Sequence, residues 1–452
     1  MPLVVVNPAT EEPIAELEQA GVGEADEAVA RAKAAFPAWR RVAPADRARL
    51  LRGLATLVEE HAEELARIES RNVGKPIAGA RGEVGMVAQV FHYYAGAVDK
   101  SFGETIPVAG GEAFTFREPL GVVGLIVPWN FPLNIASWKL GPALACGNTV
   151  VLKPAELTPL SALRLAELAL EAGIPEGVIN VVVGKGSVVG TRLVEHPDVA
   201  KIGFTGSTEV GQTVMRGAAG TIKRVTLELG GKSGNLVFED ADLERAAASA
   251  PYAVFDNAGQ DCCARSRIFV QRSVYDRFLD LLVTATRDVK VGDPAADETE
   301  MGPLISAQHR ETVASFLDEG VSVAYRGETP EGPGFWFPAT LVEASNDDPI
   351  AREEVFGPVA AVIPFADEEE AVRLANDTPY GLSGSIWTRD SARALRVVRA
   401  VDSGVLSVNS NASVRVSTPF GGFKQSGFGR ELGMHALEGY SELKSVFVST
   451  ED

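Results

Sequence analysis

Residues 121–156, GVVGLIVPWNFPLNIASWKLGPALACGNTVVLKPAE, decide the fold class of this chain. Residues 122–127 form a short apolar run rich in β-branched side chains, residues 133–146 have helical character, and residues 149–152 form a second apolar run. A strand, a helix and a strand in this order are typical of a βαβ unit, whose strands lie parallel in one sheet. The stretch therefore predicts a parallel sheet with helices packed on its faces.

The same alternation extends in both directions along the chain, so we expect two α/β domains. The first series continues with a helix at 160–172, a strand at 180–183, a helix at 187–195, a strand at 201–204, a helix at 208–218 and a strand at 225–229. A second series, from Asn235 to about Asn409, includes predicted strands at 266–270, 360–364 and 405–408. The remaining predicted elements are helices at 24–38, 44–72 and 78–99, a hairpin over 104–116 that turns at Gly110-Gly111, and a strand at 441–450.

The composition indicates a globular protein and excludes several functional classes. The chain has 452 residues, of which 46% are hydrophobic and 23% are charged, and this length suggests two or three domains. A net charge of −19 would repel a phosphate backbone, so nucleic acid is not an expected partner. Three cysteines cannot form a disulfide framework, no metal-binding spacing occurs, and the N-terminus lacks the basic region of a signal peptide. We therefore expect a cytoplasmic protein without a bound metal.

One uncharged stretch, from Gly121 to Trp138, is long enough to be mistaken for a membrane span. Two prolines and two asparagines lie in its middle, and a helix exposed to lipid would not tolerate them. We interpret the stretch as a buried strand, a loop and the start of a helix, and we expect no membrane association.

Two glycine-rich turns compete as the phosphate-binding site of a nucleotide cofactor. The segment Gly184–Gly190 follows a predicted strand, but its third glycine is displaced by one position and no acid follows at the usual distance. The segment Gly203–Gly211 is the better candidate, because Gly206 allows close backbone approach and Ser207 and Thr208 can cap the next helix. The alternative is a capped helix that binds nothing.

Lys153 and Glu156 follow a predicted strand, and the carboxyl ends of parallel strands are where ligands bind. A lysine at this position can hold a ribose or a phosphate. A carboxylate can accept both hydroxyls of an adenosine ribose and would repel a 2′-phosphate, which favours NAD over NADP. A solvated charged loop is the alternative interpretation.

Three residues have side chains suited to covalent chemistry. Glu228 lies in an otherwise apolar strand, where burial would raise its pKa toward that of a general base; a buried ion pair with Arg224 is the alternative. Cys262 and Cys263 are adjacent and precede two arginines, which indicates either a reactive thiolate or an inert buried pair. Asn130 lies between two prolines, and its amide either donates to an oxyanion or serves a structural loop.

Taken together, seven motifs in a fixed order make the chain resemble the NAD(P)-dependent aldehyde dehydrogenase superfamily. They are PWNFP (128–132), KPAE (153–156), GFTGSTEVG (203–211), LELGGKS (227–233), GQDCC (259–263), EEVFGPV (353–359) and PFGGFKQSGFGRELG (419–433). The resemblance begins at about residue 5 and implies the non-acylating, hydrolytic branch, because relatives that acylate coenzyme A typically lack the base at position 228. It implies a Rossmann-like cofactor domain at 1–101 and 120–230, an α/β catalytic domain at 231–425, and small β oligomerisation strands at 102–119 and 441–450.

The resemblance also implies a role for each residue of the catalytic set. Cys262 forms a thiohemiacetal and then a thioester with the aldehyde carbon, Asn130 donates to the oxyanion, and Glu228 activates the water that releases a carboxylic acid. Glu431 matches a proton-relay acid. The residues implied to bind NAD, with NADP as a further possibility, are Val127, Pro128, Trp129, Lys153, Glu156, Thr205, Gly206, Ser207, Leu229, Glu354 and Phe356. A salt-bridge set that links subunits is implied for Arg224, Arg430 and Glu442.

The class of aldehyde depends on the side chains of the implied substrate tunnel. These are Met86, Phe131, Ile135, Trp138, Asp261, Cys263, Val414 and Phe420. The carboxylate of Asp261 favours a cationic aminoaldehyde, unless Asp261 is a solvated or capping residue. The alternatives are a broad aliphatic or aromatic aldehyde, favoured by the apolar side chains, and a semialdehyde, favoured by Arg415 near the mouth.

Other classes of protein fit the motifs less well. A cysteine hydrolase would need neither KPAE nor GSTEVG, and a non-catalytic homologue would have no use for the three catalytic residues together. The resemblance implies a homodimer or homotetramer whose partner molecule is a small aldehyde.

Overall fold

The computed structural model describes residues 2–317 and 320–451. Met1 and residues 318 and 319, which belong to the predicted 1–101 and 231–425 segments, lie outside the described residues. The helices are α1 Val22–Trp39, α2 Pro44–Glu60, α3 Ala62–Val73, α4 Ile77–Ala97, α5 Pro132–Ala145, α6 Leu160–Glu171, α7 Thr191–Glu195, α8 Thr208–Ala219, α9 Leu243–Phe255, α10 Tyr275–Arg287, α11 Ala307–Ala314, α12 Pro349–Arg352, α13 Glu368–Asn376 and α14 Ser391–Ala400. The strands are β1 Leu3–Val6, β2 Pro13–Leu17, β3 Thr105–Val108, β4 Gly111–Pro119, β5 Val122–Ile126, β6 Thr149–Lys153, β7 Ile179–Val181, β8 Val199–Thr205, β9 Arg224–Glu228, β10 Gly234–Val237, β11 Arg267–Gln271, β12 Ser322–Arg326, β13 Thr340–Glu343, β14 Val359–Phe365, β15 Ser383–Trp387, β16 Val405–Val408, β17 Gly427–Phe428 and β18 Ser441–Ser449.

A six-stranded sheet is built from the first alternating series, in the order β17-β9-β8-β5-β6-β7. Its strands pair in parallel, except β17, which is antiparallel to β9. Every residue of β5 and β6 is buried, which explains why these strands are apolar without alternation. The parallel sheet predicted from residues 121–156 is confirmed.

A seven-stranded sheet is built from the second series, in the order β12-β13-β14-β11-β10-β15-β16. Only β12 is antiparallel to its neighbour. Separate hydrophobic cores lie against the two large sheets, one centred on α4 and α5 and one on β11 and β14. The predicted α/β class is thereby confirmed, while the exact boundaries of the domains stay a prediction.

A smaller antiparallel sheet joins the predicted hairpin to the end of the chain, in the order β18-β4-β3. The hairpin turns at Gly110, whose φ of +75° favours glycine. None of the described helices combines the length and apolar character needed to cross a bilayer.

Two predicted helices differ from those observed. The helix expected at 44–72 is divided at His61, whose φ of −100° and ψ of 19° lie outside helical geometry, so that α2 and α3 can each bury an apolar face. The helix expected at 187–195 begins earlier, with a π-helical turn at Gly186–Gly190, and continues as α7.

Candidate active site

The turn that carries Cys262 leaves α9 through a strained backbone. Asn257, Ala258 and Gly259 have consecutive φ values of 50°, 55° and 71°, although the left-handed region is uncommon for residues other than glycine. Gly259 is required here for a second reason, since an added Cβ would lie 2.1 Å from the carbonyl oxygen of Gly357. The thiol is therefore presented by a turn whose path is fixed by close backbone packing.

The buried side chain of Gln260 fastens the same turn to neighbouring segments. Its Nε2 donates to the carbonyl of Asn257 over 2.9 Å, and its Oε1 accepts from the N–H of Ile305 over 2.8 Å. Asn130 approaches from the loop after β5, and its Nδ2 donates to the carbonyl of Gln260 over 2.9 Å. In return, Asn257 donates to the carbonyl of Asn130 over 3.0 Å, so the two loops are bonded in both directions.

Two N–H groups with a hydrogen to spare lie on the loops that are bonded together at the thiol turn. Each Nδ2 amide carries two hydrogens, and only one from Asn130 is used by Gln260. Among the described residues, the backbone N–H of Cys262 finds no acceptor, whereas the next N–H, of Cys263, donates to Asp261 over 2.8 Å. Asp261 therefore caps the turn, as one of the two interpretations expected.

The pKa of the Cys262 thiol lies well above its ordinary value. A hydrogen bond with Cys263 contributes most, followed by burial and by the nearby carboxyl of Glu228. One ligating atom of each of Asp261, Cys262 and Cys263 lies within 4.8 Å of the others. Three groups on adjacent residues are one fewer than a closed zinc site requires, so the cluster alone does not define a metal site.

Glu228 ends strand β9 with its carboxyl buried. Neither oxygen has a hydrogen-bond partner of good geometry among the described residues, which is rare for a buried carboxyl. Burial raises the pKa of Glu228 to about 8, against the opposing effect of the ammonium of Lys139. The alternative of an ion pair with Arg224 is wrong, because Arg224 pairs with Glu442.

Glu431, the implied relay acid, is buried and forms an ion pair with Lys139 on α5. The second carboxyl oxygen of Glu431 is buried and has no hydrogen-bond partner in the described part of the chain. Lys139 was missed in the sequence, where the only signal was a single charge in an otherwise uncharged helix. Arg430 donates to the carbonyls of Gly422 and Gly429 and takes no part in the Arg224 pair.

Two loops meet at the carboxyl ends of β6 and β7. The buried ammonium of Lys153 lies 3.7 Å from a carboxylate oxygen of Glu156, and burial lowers the pKa of Lys153. The same oxygen of Glu156 accepts from the N–H of Gly186 over 2.6 Å. The structure thus brings together the Lys153–Glu156 pair and the glycine turn that the sequence ranked second.

The preferred glycine turn lies at the start of α8. Ser207 caps this helix by accepting from the N–H of Val210, and Gly206 leaves no room for a Cβ, which would lie 2.6 Å from the ring of Phe204. The hydroxyl of Thr205 is buried, and residues 2–317 and 320–451 offer it no hydrogen-bond partner. A buried hydroxyl without a partner, beside the first N–H groups of a helix, is suited to a phosphate ligand.

Glu354 lies on the loop before β14, next to the glycines that follow β9. Its Oε1 accepts from the N–H of Gly231 over 2.8 Å, and a Cβ on Gly230 would lie 2.3 Å from its Oε2. Burial raises the pKa of Glu354 to about 7. Phe356 packs its ring against Trp129, with the centroids 5.4 Å apart. Of the other predicted cofactor residues, Val127 and Leu229 are buried and Pro128 is half-buried.

The predicted tunnel side chains share one hydrophobic cluster with Cys262. Its buried members include Ile135, Trp138, Cys263 and Phe420, and its partly buried members include Met86, Phe131 and Val414. Trp138 and Phe420 pack edge to face with their centroids 5.1 Å apart. These residues, apart from the polar Asp261, therefore belong to the same large hydrophobic core as the thiol.

A buried charge cluster next to Phe131 was missed in the sequence. Lys75 lies 4.3 Å above the ring of Phe131 and bonds to Glu83 over 2.5 Å, with Glu69 3.6 Å away. Burial raises the pKa of Glu83 to about 8. Asp256 belongs to the same region, since burial and the charge of Asp261 raise its pKa to about 6.

Comparison with known proteins identifies similar chains along nearly the whole length. The model of the aldehyde dehydrogenase family matches residues 2–446. A betaine aldehyde dehydrogenase from Bacillus subtilis is 44% identical over 99% of this chain and 94% of its own length. An aldehyde dehydrogenase from Aspergillus niger is 45% identical over 98% of this chain and 90% of its own. The structure of an aldehyde dehydrogenase from Bacillus cereus in complex with NAD+ is 44% identical, covers 100% of this chain and 94% of its own, and superimposes with a TM-score of 0.98.

Proposed function

Because the chain belongs to the aldehyde dehydrogenase family, we propose that it oxidises an aldehyde to the carboxylic acid, with NAD as cofactor and Cys262 as nucleophile. The observation that carries the proposal is the meeting of three groups. Asn130 is bonded to the turn of Cys262, and Glu228 lies close enough to the thiol for each to shift the pKa of the other. A nucleophile, an oxyanion donor and a base of tuned pKa are what acyl chemistry requires.

The predicted cofactor residues have side chains that fit a dinucleotide. Lys153 and Glu156 would hold the adenosine ribose, the α8 N-terminus with Ser207 would take the pyrophosphate, and Glu354 would hold the nicotinamide ribose. The orphaned hydroxyl of Thr205 supports this fit. A carboxylate at position 156 favours NAD, and NADP is an alternative that the activity assay can measure.

The chemistry divides one difficult step into two easier ones. The Cys262 thiol first loses its proton to solvent, and the resulting thiolate adds to the aldehyde carbon. The oxyanion then accepts hydrogen bonds from Asn130 and the N–H of Cys262. NAD, when bound, supplies the oxidising power by accepting a hydride. The carbon then forms a thioester with Cys262. Glu228 takes a proton from water as the water oxygen attacks the thioester, and the C–S bond breaks to release the acid and the thiolate.

The charge of the tunnel supports a cationic aldehyde, such as an aminoaldehyde, as substrate. Asp256 and Asp261 lie close enough together that the charge of Asp261 raises the pKa of Asp256, and the cations near Asp261 are Arg265 and Lys75. The similarity to the betaine aldehyde dehydrogenase from Bacillus subtilis agrees with a cationic substrate. The apolar side chains of the predicted tunnel would favour an uncharged aldehyde, and the exposed Arg415 would favour a semialdehyde. These two classes of substrate are the alternatives that the test must separate.

The test is NADH formation with NAD or NADP and a panel of 4-aminobutanal, betaine aldehyde, succinic semialdehyde, benzaldehyde and hexanal. We expect the cationic aldehydes to lead by about 10-fold in kcat/KM, or roughly 1.4 kcal/mol. Asp261→Asn should shrink that lead, whereas the control Asp280→Asn on the exposed side of α10 should not. A panel led by hexanal or succinic semialdehyde would exclude the cationic class.

We also propose that the chain forms a homodimer or homotetramer through the β18-β4-β3 sheet. Phe116, Leu443 and Phe447 are each about half exposed on this small sheet, at 50%, 55% and 55%. Apolar exposure of this kind is typical of an interface between protein chains. Light scattering should give a multiple of 47.8 kDa, and Phe447→Glu should lower it; a monomeric native protein would refute the proposal.

The compartment we propose is the cytoplasm, because the three described cysteines all carry free thiols. A nucleophile beside a second thiol needs a reducing environment to stay active. Fractionation of the native host should recover the activity with the cytoplasmic proteins.

A further inference from the structure

Strands β8 and β9 carry a row of residues that leads from the proposed base to the surface. The cross-strand pairs of this polar row are Thr205 with Glu228, Gly203 with Thr226, and Lys201 with Arg224. Alternate residues of a strand point to the same side, so these six positions share one face of the sheet. From Glu228 to Arg224 the row spans about 13 Å, at about 3.3 Å per residue. Glu228 is buried at one end, and the side chain of Arg224 is 49% exposed at the other.

Lys201 is buried within the polar row, and the mechanism above does not use it. In the described part of the chain its Nζ has one hydrogen-bond partner, the hydroxyl of Thr226. The same nitrogen lies 4.7 Å from the centroid of the Tyr440 ring. Lysine is almost never buried this completely unless it is paired with a carboxylate, so packing alone does not explain this side chain.

The surroundings of Lys201 lower its pKa to about 7. Burial is the main cause, the charges of Lys139 and Arg224 add to it, and the charge of Glu431 opposes it. Tyr440 faces the same amine and keeps its proton, because burial raises the pKa of its hydroxyl. An ordinary lysine is an ammonium at pH 7, whereas about half of the Lys201 side chains are free amines at that pH. Lys201 can therefore both accept and release a proton near neutral pH.

Two buried polar atoms beside the row have no hydrogen-bond partner among the described residues, namely the second carboxyl oxygen of Glu431 and the hydroxyl of Tyr440. The charge of Glu431 raises the pKa of both Glu228 and Lys201, so Glu431 is close to each of them. A Cβ on Gly203, in the middle of the row, would lie 3.3 Å from the hydroxyl oxygen of Tyr440. Buried polar atoms of this kind are commonly bridged by ordered water, and a hydroxyl both donates and accepts. Proton donors and acceptors are thus present between the base and Lys201.

We propose that Lys201 takes up, through Glu431, the proton that Glu228 has removed from the attacking water, and releases it to solvent beside Arg224. The inference rests on the proposed function, because this proton arises when the thioester is hydrolysed. One proton moves in each turnover, from water to the carboxylate of Glu228, then to the carboxylate of Glu431, and then to the free amine of Lys201. Lys201 touches neither substrate nor cofactor, and it acts by returning Glu228 to the carboxylate.

Three substitutions separate proton transfer from charge and from packing. Lys201→Met removes the amine, whereas Lys201→Arg keeps a positive charge and a donor but holds its proton at every pH of the assay. Tyr440→Phe removes only the hydroxyl and keeps the ring. Lys223→Met is the control, because Lys223 is a half-buried lysine just before β9 that donates to two backbone carbonyls. For each variant we would measure the burst and the steady rate of NADH formation from pH 6 to 9 in H2O and D2O, KM for NAD and for the aldehyde, and Tm.

We expect Lys201→Met and Lys201→Arg to keep a burst of about one equivalent, because the thioester forms before the base is needed. The steady rate at pH 7 should fall by about 10-fold, less than the loss expected for the base itself, and its slowing in D2O should increase. Tyr440→Phe should lower the same rate by about 3-fold with a Tm at or above the native value, since a buried hydroxyl without a partner is removed. Both KM values should stay near native, and Lys223→Met should change neither the rate nor the effect of D2O.

A steady rate that is restored in Lys201→Arg would show that only the positive charge matters, and it would overturn the inference. A native rate in Lys201→Met, or loss of the burst, would overturn it as well. If both Lys201 variants fold poorly, Tyr440→Phe decides, and a native rate with a native effect of D2O would count against the inference. A native protein that forms no NADH would refute the proposed function and this inference with it.

Discussion

Glu228 and Arg267 are both ionisable side chains buried at strand ends, and they differ in the number of hydrogen bonds that they make. Arg267 begins β11 in the seven-stranded sheet and donates to the carbonyls of Lys232, Leu374 and Ala375 over 2.9 to 3.2 Å. Glu228 ends β9 in the six-stranded sheet, and neither carboxyl oxygen has a hydrogen-bond partner of good geometry among the described residues. A buried ionisable group whose hydrogen bonds are made stabilises the fold, whereas one whose hydrogen bonds are not made is available for chemistry.

The largest expected effect comes from the group that Glu228 faces. Cys262→Ala should lower kcat for aldehyde oxidation by about 10^4-fold or more, because the thioester forms on the sulfur of Cys262. Tm should remain within about 2 °C of the native value, since the change removes only one small, partly buried thiol. Cys146→Ala is the matched control. If Cys262→Ala kept more than about one per cent of the native turnover, Cys262 would not be the nucleophile.

Glu228→Gln should lower kcat by about 10^2- to 10^3-fold, the usual contribution of a general base. The amide has the same shape and cannot take the proton of the attacking water. Stopped-flow mixing should still show a burst of NADH of about one equivalent, because the thioester forms before the base is needed. The exposed Glu60→Gln is the control, and loss of the burst would move Glu228 to the step before the thioester.

Arg267→Met is expected to act on stability and not on chemistry. Several carbonyls that Arg267 serves would be left without a donor in the core, so unfolding in urea should lose about 2–4 kcal/mol. The kcat per folded molecule should stay near native. Arg272→Met, at an exposed position, should change neither. A large fall in kcat with native stability would place Arg267 in the site and break the comparison.

The sequence predicted one half of this comparison and not the other. Glu228 was recognisable as an acid in an apolar strand, and Cys262 and Asn130 by the motifs around them. Arg267 also begins an apolar run, but its acceptors lie 35 to 108 residues away, so only the fold shows that it is satisfied. Lys139 was missed for the same reason, since its partner Glu431 is 292 residues away.

His309 shows a second limit of prediction from sequence. The ring of His309, on α11, contacts Phe356 and Trp129, which lie on two other loops. No local sequence pattern predicts the positive φ of Phe356. Strands and helices follow from local periodicity, and most of the predicted elements were confirmed. Contacts between loops depend on tertiary packing, which local patterns do not encode.

The smallest effect expected is a change of rate with pH, and it tests the open half of the comparison directly. Burial raises the pKa of Glu228 to about 8, so the fraction present as carboxylate rises about 10-fold between pH 7 and pH 9. Only the carboxylate accepts the proton from water, so native kcat should rise by about that factor and level off above pH 9.

The same pKa has an opposite consequence for stability. A carboxyl whose folded pKa is raised stabilises the fold below its unfolded pKa, and this contribution is lost as the pH rises through about 8. Glu228→Gln should therefore have the same Tm as the native protein at pH 5 and a higher Tm at pH 9. A native kcat that is flat from pH 7 to 9, with no difference in Tm at pH 9, would mean that Glu228 is already ionised. In that case water donates hydrogen bonds to the carboxylate oxygens of Glu228. The hydrogen bonds of Glu228 would then be made, as those of Arg267 are.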